Sequence, residues 1–387
     1  MKLTTPIVAA LRPLRRVGCW LLLWLAIVLA AVWSTMAIYY SNLPTTWLRG
    51  FAAVAYALGL VGIFVRVRPL RRAKLAFLAA VGVVIVWFLI ILPSNHRDWQ
   101  SDVALLPYAD LNGDRVTLHN IRNCDYRSET DYDVHHYDKT LDLAKLRSVD
   151  LYVVYWGSPL ICHTMMSFGF EGDDYVCISI ETRKEKGEGF SAIKGFFRQF
   201  ELTYVVADER DLVRLRTNYR GEQVYLYRLN TEAAVARLVF LDYLKQVNRL
   251  KERPQWYNAL TANCTTLIRG HTKAYAKEQK FDWRILVNGR IDEMAYQRKS
   301  LDQSLPFAQL RARSLINDRA RATPADAAYS RRIREQLPGI AAPIPSAQRR
   351  PTDRSPQHAI CGSSKPILEE NETCETYSLT QAEPDLL

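Results

Sequence analysis

CHTMMSFGFEGDDYVCISIE, residues 162–181, is the stretch on which the soluble part of this chain turns. Thr164, Met166, Phe168 and Phe170 occupy alternate positions, as do Val176, Ile178 and Ile180, with Gly172 in a polar break between the two runs. Alternation of period two on either side of a turn predicts a β-hairpin, because successive strand side chains point to opposite faces. The even set then shares one apolar face, and His163, Ser167, Gly169, Cys177, Ser179 and Glu181 share the other. A tight turn at Gly172 sets His163 roughly opposite Glu181. A histidine facing a carboxylate is held in one tautomer, and its imidazolium is stabilised. That is the orienting half of a catalytic triad; it is also the pattern of a surface His–Glu pair.

Outward from the hairpin, VTLHNI (116–121), DLYVVYW (150–156) and VYLYRL (224–229) read as strands, and DLNGD (110–114) as a turn. Residues 205–217 carry mixed signals that fit a helical turn after a strand. Ala234, Leu238, Leu241 and Leu244 recur at helical spacing within a helix over 231–250, and a second helix is expected over 263–277. Strands and helices on one sheet predict an α+β domain of about 240 residues. The loop DYRSETDYDVHHYD (125–138) holds His135 and His136 without a third ligand at metal spacing and is read as solvated; neither a metal nor a cofactor is expected.

TANCTTLIR (261–269) supplies a candidate nucleophile. Thr261 or Asn263 can cap the second helix, which puts Cys264 in its first turn. Unpaired N–H groups and the helix dipole there favour a thiolate, and the backbone N–H of Cys264 is well placed for an oxyanion hole. A buried structural or disulfide-bonded cysteine is the alternative. Cys162 has the parity of the core, and Cys177 lies mid-strand with no dipole beside it. Cys124, Cys162, Cys177 and Cys264 could form two disulfides, and Cys361 and Cys374 could pair.

The 387 residues suggest two to three domains. The net charge of +11 would suggest nucleic acid if it were spread evenly. However, residues 17–48, 50–65 and 75–95 contain no charged side chain. About 20 apolar residues cross a bilayer as a helix, so three spans are expected within 17–95; the middle one is short and needs Trp47 and Arg49 at the interface. Lys2, Arg12, Arg15 and Arg16 precede the first span, and Arg66, Arg68, Arg71, Arg72 and Lys74 separate the second from the third, whereas Arg49 stands alone between the first and second. Both basic clusters should face the cytoplasm. The chain therefore reads as a cytoplasmic tail (1–16), three transmembrane helices (17–95), an extracytoplasmic domain (96–340) and a disordered tail (341–387) rich in Pro, Ser, Gln and Arg. The uncharged first run is too long for a usual signal peptide and reads as an anchor. No nucleic-acid partner is needed, and the oligomeric state stays open.

Several motifs occur together in a consistent order: HNIRNC (119–124), HTMMSFGF (163–170), ISIETRKEKGE (178–188), QFELTYVVADERDLVRLRT (199–217), YNALTANCTT (257–266) and DWRILVNGR (282–290). In this combination residues 110–340 resemble the DUF4105 family, the periplasmic domain of the Lnb-type bacterial lipoprotein N-acyltransferases. They are also similar to the circularly permuted papain-like superfamily, NlpC-type amidases included, in which the histidine strand precedes the cysteine helix. The resemblance implies a papain-like fold in the periplasm, anchored in the inner membrane by several passes. It implies Cys264 as nucleophile, His163 as base and Glu181 as orienter, with Asn263, Asn120 and Thr265 as oxyanion or substrate-positioning residues. It further implies thiol-dependent acyl transfer on membrane phospholipid or lipoprotein. In the acyltransferases the spans follow the domain, whereas here they precede it. A cell-wall amidase or peptidase of similar chemistry and a non-catalytic anchored binding module are the competing readings.

Overall fold

The computed structural model describes residues 5–275 and 281–340. Three helices open the chain: α1 (Thr5–Tyr39), α2 (Thr46–Arg66) and α3 (Leu70–Ile90). Each contains a stretch long and apolar enough to cross a membrane. Small residues such as Ala53 and Ala73 face inward with Leu60, Phe77, Val81 and Val84, while Leu22, Val61 and Val83 point outward. That pattern suits lipid, where apolar surface carries no penalty and close helix approach favours small side chains. The middle helix is longer than its uncharged run because it starts at Thr46. Arg49 lies inside its first turn, with Nε donating to the Leu43 carbonyl at 2.6 Å.

Among the described residues ten strands follow: β1 (Tyr108–Asn112), β2 (Arg115–Arg122), β3 (Asp125–Tyr126), β4 (Tyr132–Asp133), β5 (His136–Asp142), β6 (Leu146–Tyr155), β7 (Cys162–Phe170), β8 (Asp174–Arg183), β9 (Glu201–Ala207) and β10 (Gln223–Arg228). The helices among and after them are α4 (Glu209–Arg214), α5 (Ala233–Glu252), α6 (Cys264–Lys273), α7 (Ile291–Gln297), α8 (Phe307–Ser314), α9 (Asn317–Ala322) and α10 (Tyr329–Arg332). One sheet runs in the order β1-β2-β9-β8-β7-β6-β10, with β5 also paired to β2, and β3 and β4 form a separate ribbon. The turn DLNGD proves to be the tip of the β1–β2 hairpin, with Gly113 at φ +59°. The loop over 125–138 is more ordered than its composition suggests: it contains β3 and β4, and His136 opens β5.

The expected hairpin is present as β7 and β8, and helices pack on both of its faces. The even face of β7 and β8 (Met166, Phe168, Phe170, Val176, Ile178 and Ile180) packs under Phe240, Tyr243 and Leu244 of α5, as the alternation requires. The odd face carries His163, Ser167, Ser179 and Glu181, for which a surface His–Glu pair is one reading of the sequence. Met165 and Cys177 pack there against Leu212, Val213, Ile316, Ala320, Tyr329 and Ile333, which come from α4 and the C-terminal helical segment. A buried ionic cluster fastens that segment. The Arg334 guanidinium donates to both carboxylate oxygens of Glu209 (2.6 and 2.7 Å) and to Asp150 (2.8 Å), and Ser167 and Tyr152 also donate to Glu209. Charges this deep are tolerated because they are paired and fully hydrogen-bonded.

The domain sits directly on the ends of the apolar helices. Arg198 donates to the carbonyls of Phe88 (2.8 Å) and Ile91 (3.1 Å), and Trp256 Nε1 donates to Ile91 (3.2 Å). Those carbonyls lack helical partners, and a guanidinium is well suited to satisfy them. Gln199 reaches the Tyr40 carbonyl, Phe197 stacks on Tyr40, and Glu201 at the start of β9 accepts the Ser94 N–H at 3.0 Å. The expected disordered tail 341–387, including Cys361 and Cys374, lies outside the described residues.

Candidate active site

The cysteine helix begins where the capping residues predict. Asn263 Oδ1 accepts the Thr266 N–H at 3.0 Å, and Thr266 Oγ1 accepts the Asn263 N–H at 3.0 Å. This reciprocal capping box makes Cys264 the first residue of α6. The described cysteines Cys19, Cys124, Cys162, Cys177 and Cys264 are all free. Cys264 is 7% exposed. Burial works against its ionisation, yet His163 beside it, helped by Thr164, pulls the thiol down to about 6. The other buried thiols go the opposite way. Burial pushes Cys124 up to about 12 and raises Cys162 and Cys177 well above the ordinary thiol range.

His163 reaches the thiol because two strands part. β7 pairs with β6 as far as Cys162 opposite Tyr155, but its pairing with β8 ends at Met165 opposite Ser179. β8 continues along β9 to Arg183 opposite Glu201. In the resulting split, the imidazole contacts Cys264 from the helix side and the polar side chains of β8 from the other. Continuing the register of Met165 and Ser179 by two residues places His163 opposite Glu181, as the alternation predicts.

Ser179 stands between the two. His163 Nε2 lies 2.8 Å from Ser179 Oγ, Ser179 Oγ donates to Glu181 Oε1 at 2.6 Å, and the direct Nε2–Oε1 separation is 3.8 Å. The single hydroxyl proton is committed to Glu181, so Ser179 Oγ accepts the hydrogen bond donated by Nε2–H. The neutral ring then carries its proton on Nε2, which leaves Nδ1 as the basic nitrogen for the thiol. Arg216, on a π-helical turn (Leu215–Tyr219), donates to Glu181 Oε1 at 2.9 Å. Burial would raise the Glu181 carboxyl, but Arg216 and then His163 hold it well below the usual carboxylate range.

The remaining predicted residues divide. Thr265 is at the site, but its Oγ1 accepts from Asn288 Nδ2 at 2.6 Å and lies 3.4 Å from Thr164 Oγ1, which makes it a tie between strand and helix. Asn263 is adjacent: its Oδ1 accepts the Thr266 N–H in the cap, and one hydrogen of its amide nitrogen is donated to the Ala259 carbonyl (2.8 Å). Asn120 is not brought to the thiol at all. It lies on β2, three strands from β7, donates to the Leu106 carbonyl at 3.0 Å, and lines a cleft with Arg122 and His136. The backbone N–H of Cys264 lies in the unpaired first turn of α6, directed away from the helix.

Three contributors had no role in the sequence reading: Ser179, Arg216 and Asn288. Ser179 carries the right parity, between Cys177 and Glu181, and that signal was available. Asn288 sits in the quoted motif DWRILVNGR, but nothing local marks its task. It accepts the Cys162 N–H (2.9 Å) and donates to the Cys162 carbonyl (2.7 Å) and to Thr265 Oγ1, so it fastens the start of β7 to the start of α6.

A mixed α+β domain behind three apolar helices, with a thiol, an imidazole and a carboxylate at one end of its sheet, is the class of protein this geometry defines. Residues 132–289 match the family model described as the Lnb N-terminal periplasmic domain, and the match spans His163, Ser179, Glu181, Arg216, Cys264 and Asn288. No curated protein and no solved structure matches.

Proposed function

We propose that the chain is a membrane-anchored thiol acyltransferase of the inner membrane, with its catalytic domain in the periplasm and a permuted papain-like fold. Its substrate would be the acyl group of a phospholipid or lipoprotein. The observation that carries this reading is that Cys264, alone among the described buried thiols, is driven towards the thiolate, by a histidine whose other nitrogen is held by Ser179 and Glu181. The thiolate attacks the acyl carbonyl, and the oxyanion is met by the Cys264 N–H. His163, having taken the thiol proton, returns it to the departing alcohol oxygen as the carbon–oxygen bond breaks. An amine then attacks the thioester and gives its proton to His163, and the thiolate is released as the acyl–sulfur bond breaks. Histidine strand before cysteine helix, and a domain seated on the membrane helices, both support the reading.

The test is intact-mass and peptide analysis of the full chain after incubation with phospholipid or with a diacylated lipopeptide. An added acyl mass on Cys264, lost in Cys264→Ala and discharged by an amine acceptor, is the expected result. Discharge by water alone would make the protein a hydrolase. No adduct with either donor, together with unreactive Cys264, would overturn the proposal in favour of an anchored binding module.

A further inference from the structure

The domain presents an exposed apolar collar at one end of its sheet. β6 ends at Tyr155 opposite Cys162, where β7 begins, and β8 ends at Arg183 opposite Glu201, where β9 begins. The loops 156–161 and 184–200 therefore project from the same end, the one that holds His163 and Cys264. That end also meets the end of α3, through Glu201 to Ser94 and Arg198 to Phe88 and Ile91. Both loops carry large apolar side chains left substantially exposed, although Phe190 stacks on Phe200. Trp156, Leu160 and Ile161 are exposed on the first, and Phe190, Ile193 and Phe196 on the second, with Leu160 at 65% and Phe190 at 52%. The opposite end of the same strands is charged: Glu171 and Asp173 occupy the β7–β8 turn, and Arg147 pairs with Glu171.

The two loops converge on the cysteine helix. Gly195 packs against Tyr257 and Ala259 and accepts the Ala259 N–H at 3.2 Å; Ala259 in turn accepts from the Asn263 cap. Gly289, next to the Asn288 tie, donates to the Leu160 carbonyl at 2.9 Å. Exposed clustered tryptophan, phenylalanine and isoleucine beside a membrane helix end is the composition of a bilayer interface, and is unusual for surface in water. We infer that this collar is inserted into the leaflet from which α3 emerges, among the lipid acyl chains, so that Cys264 opens onto the bilayer rather than onto the aqueous phase. The occupant is the same membrane that holds α1–α3, because loop 184–200 is already continuous with their packing through Phe197 and Tyr40. The inference goes beyond the acyl-transfer reading and stands on topology and exposure alone.

The full chain in nanodiscs containing phospholipid with a diazirine in its acyl chain tests this by photolysis and peptide mapping. Acyl adducts are expected on peptides covering 156–161 and 190–196 as well as on the three helices, with the turn at 171–173 unlabelled. The Cys264→Ser variant should give the same map, since insertion does not need the thiol. Leu160→Glu with Ile193→Glu should lower loop labelling at least fivefold while labelling of the helices is unchanged. Adducts confined to residues 15–90, as a protein partner or a second copy covering the collar would give, overturn the inference. Loop adducts without an acyl-enzyme would leave it standing and remove the acyltransferase reading.

Discussion

Ser179 has one hydroxyl proton, and that proton decides which nitrogen of His163 is basic. The consequence is measurable at Cys264. A free thiol ionises near 8.5, whereas here burial is outweighed by the imidazole and the value falls to about 6. The thiolate is the alkylated form, so iodoacetamide labelling of Cys264 should rise with pH through about 6 and level off by about 8. His163→Ala removes the pull and should move that midpoint upward; a wild-type midpoint at or above the free value would refute the pairing. Ser179→Ala leaves Nε2 facing Glu181 across 3.8 Å. Acyl-enzyme formation should slow by about tenfold, the equivalent of one hydrogen bond near 1.4 kcal/mol, and less than in His163→Ala. Glu181→Gln additionally deprives Arg216 of its close anion and should lower stability by about 1–3 kcal/mol in denaturant melts. The folded carboxyl titrates below its unfolded value of about 4.3. Its contribution is therefore complete above that pH and fades as pH falls through the folded value, and the Gln variant should lose that acid-side sensitivity.

Among the elements, the hairpin was legible because its alternation is strict, and the start of α6 because Asn263 and Thr266 carry capping chemistry in their own sequence. The burial of the second face was not legible, since what covers it arrives from residues 316 to 337, far along the chain. Asn120 was misplaced for a related reason: proximity in a motif says nothing of strand order, and β9 and β8 intervene between β2 and β7. The tie at Asn288 is likewise long-range, reaching 126 residues back to Cys162. Its removal should separate β7 from α6. Asn288→Ala leaves the buried Cys162 N–H without its acceptor and should destabilise by about 1–3 kcal/mol, with slower acylation of Cys264 even where the fold survives. Gly289→Ala should be at least as damaging, because a Cβ there would sit 2.1 Å from the Pro159 carbonyl oxygen. Thermal melts and acyl-enzyme rates, measured together, check both variants. An unchanged acylation rate in either variant would mean that the tie does not position the site.

For the whole molecule, three helices and one domain read as a single arrangement because the basic residues near the helix ends set a direction. Arg66, Arg68, Arg71, Arg72 and Lys74 surround the connection between α2 and α3, and Arg15 and Arg16 lie before the apolar part of α1. Lysine and arginine in short connections stay on the cytoplasmic side; on the proposed topology α3 carries the chain outward and the site lies on the far side of the membrane. The seating of the domain agrees with this direction: it contacts Tyr40 at the end of α1 and Phe88 to Ile91 at the end of α3, the ends remote from both basic clusters. Alkaline phosphatase fused after Glu335 should accordingly be active, and green fluorescent protein fused there should be dark. Replacing Arg71, Arg72 and Lys74 by neutral residues while adding lysines beside Arg49 should weaken that bias and lower the phosphatase signal. A dark phosphatase and bright fluorescence in the unaltered chain would put Cys264 in the cytoplasm, where a periplasmic lipoprotein could not reach it.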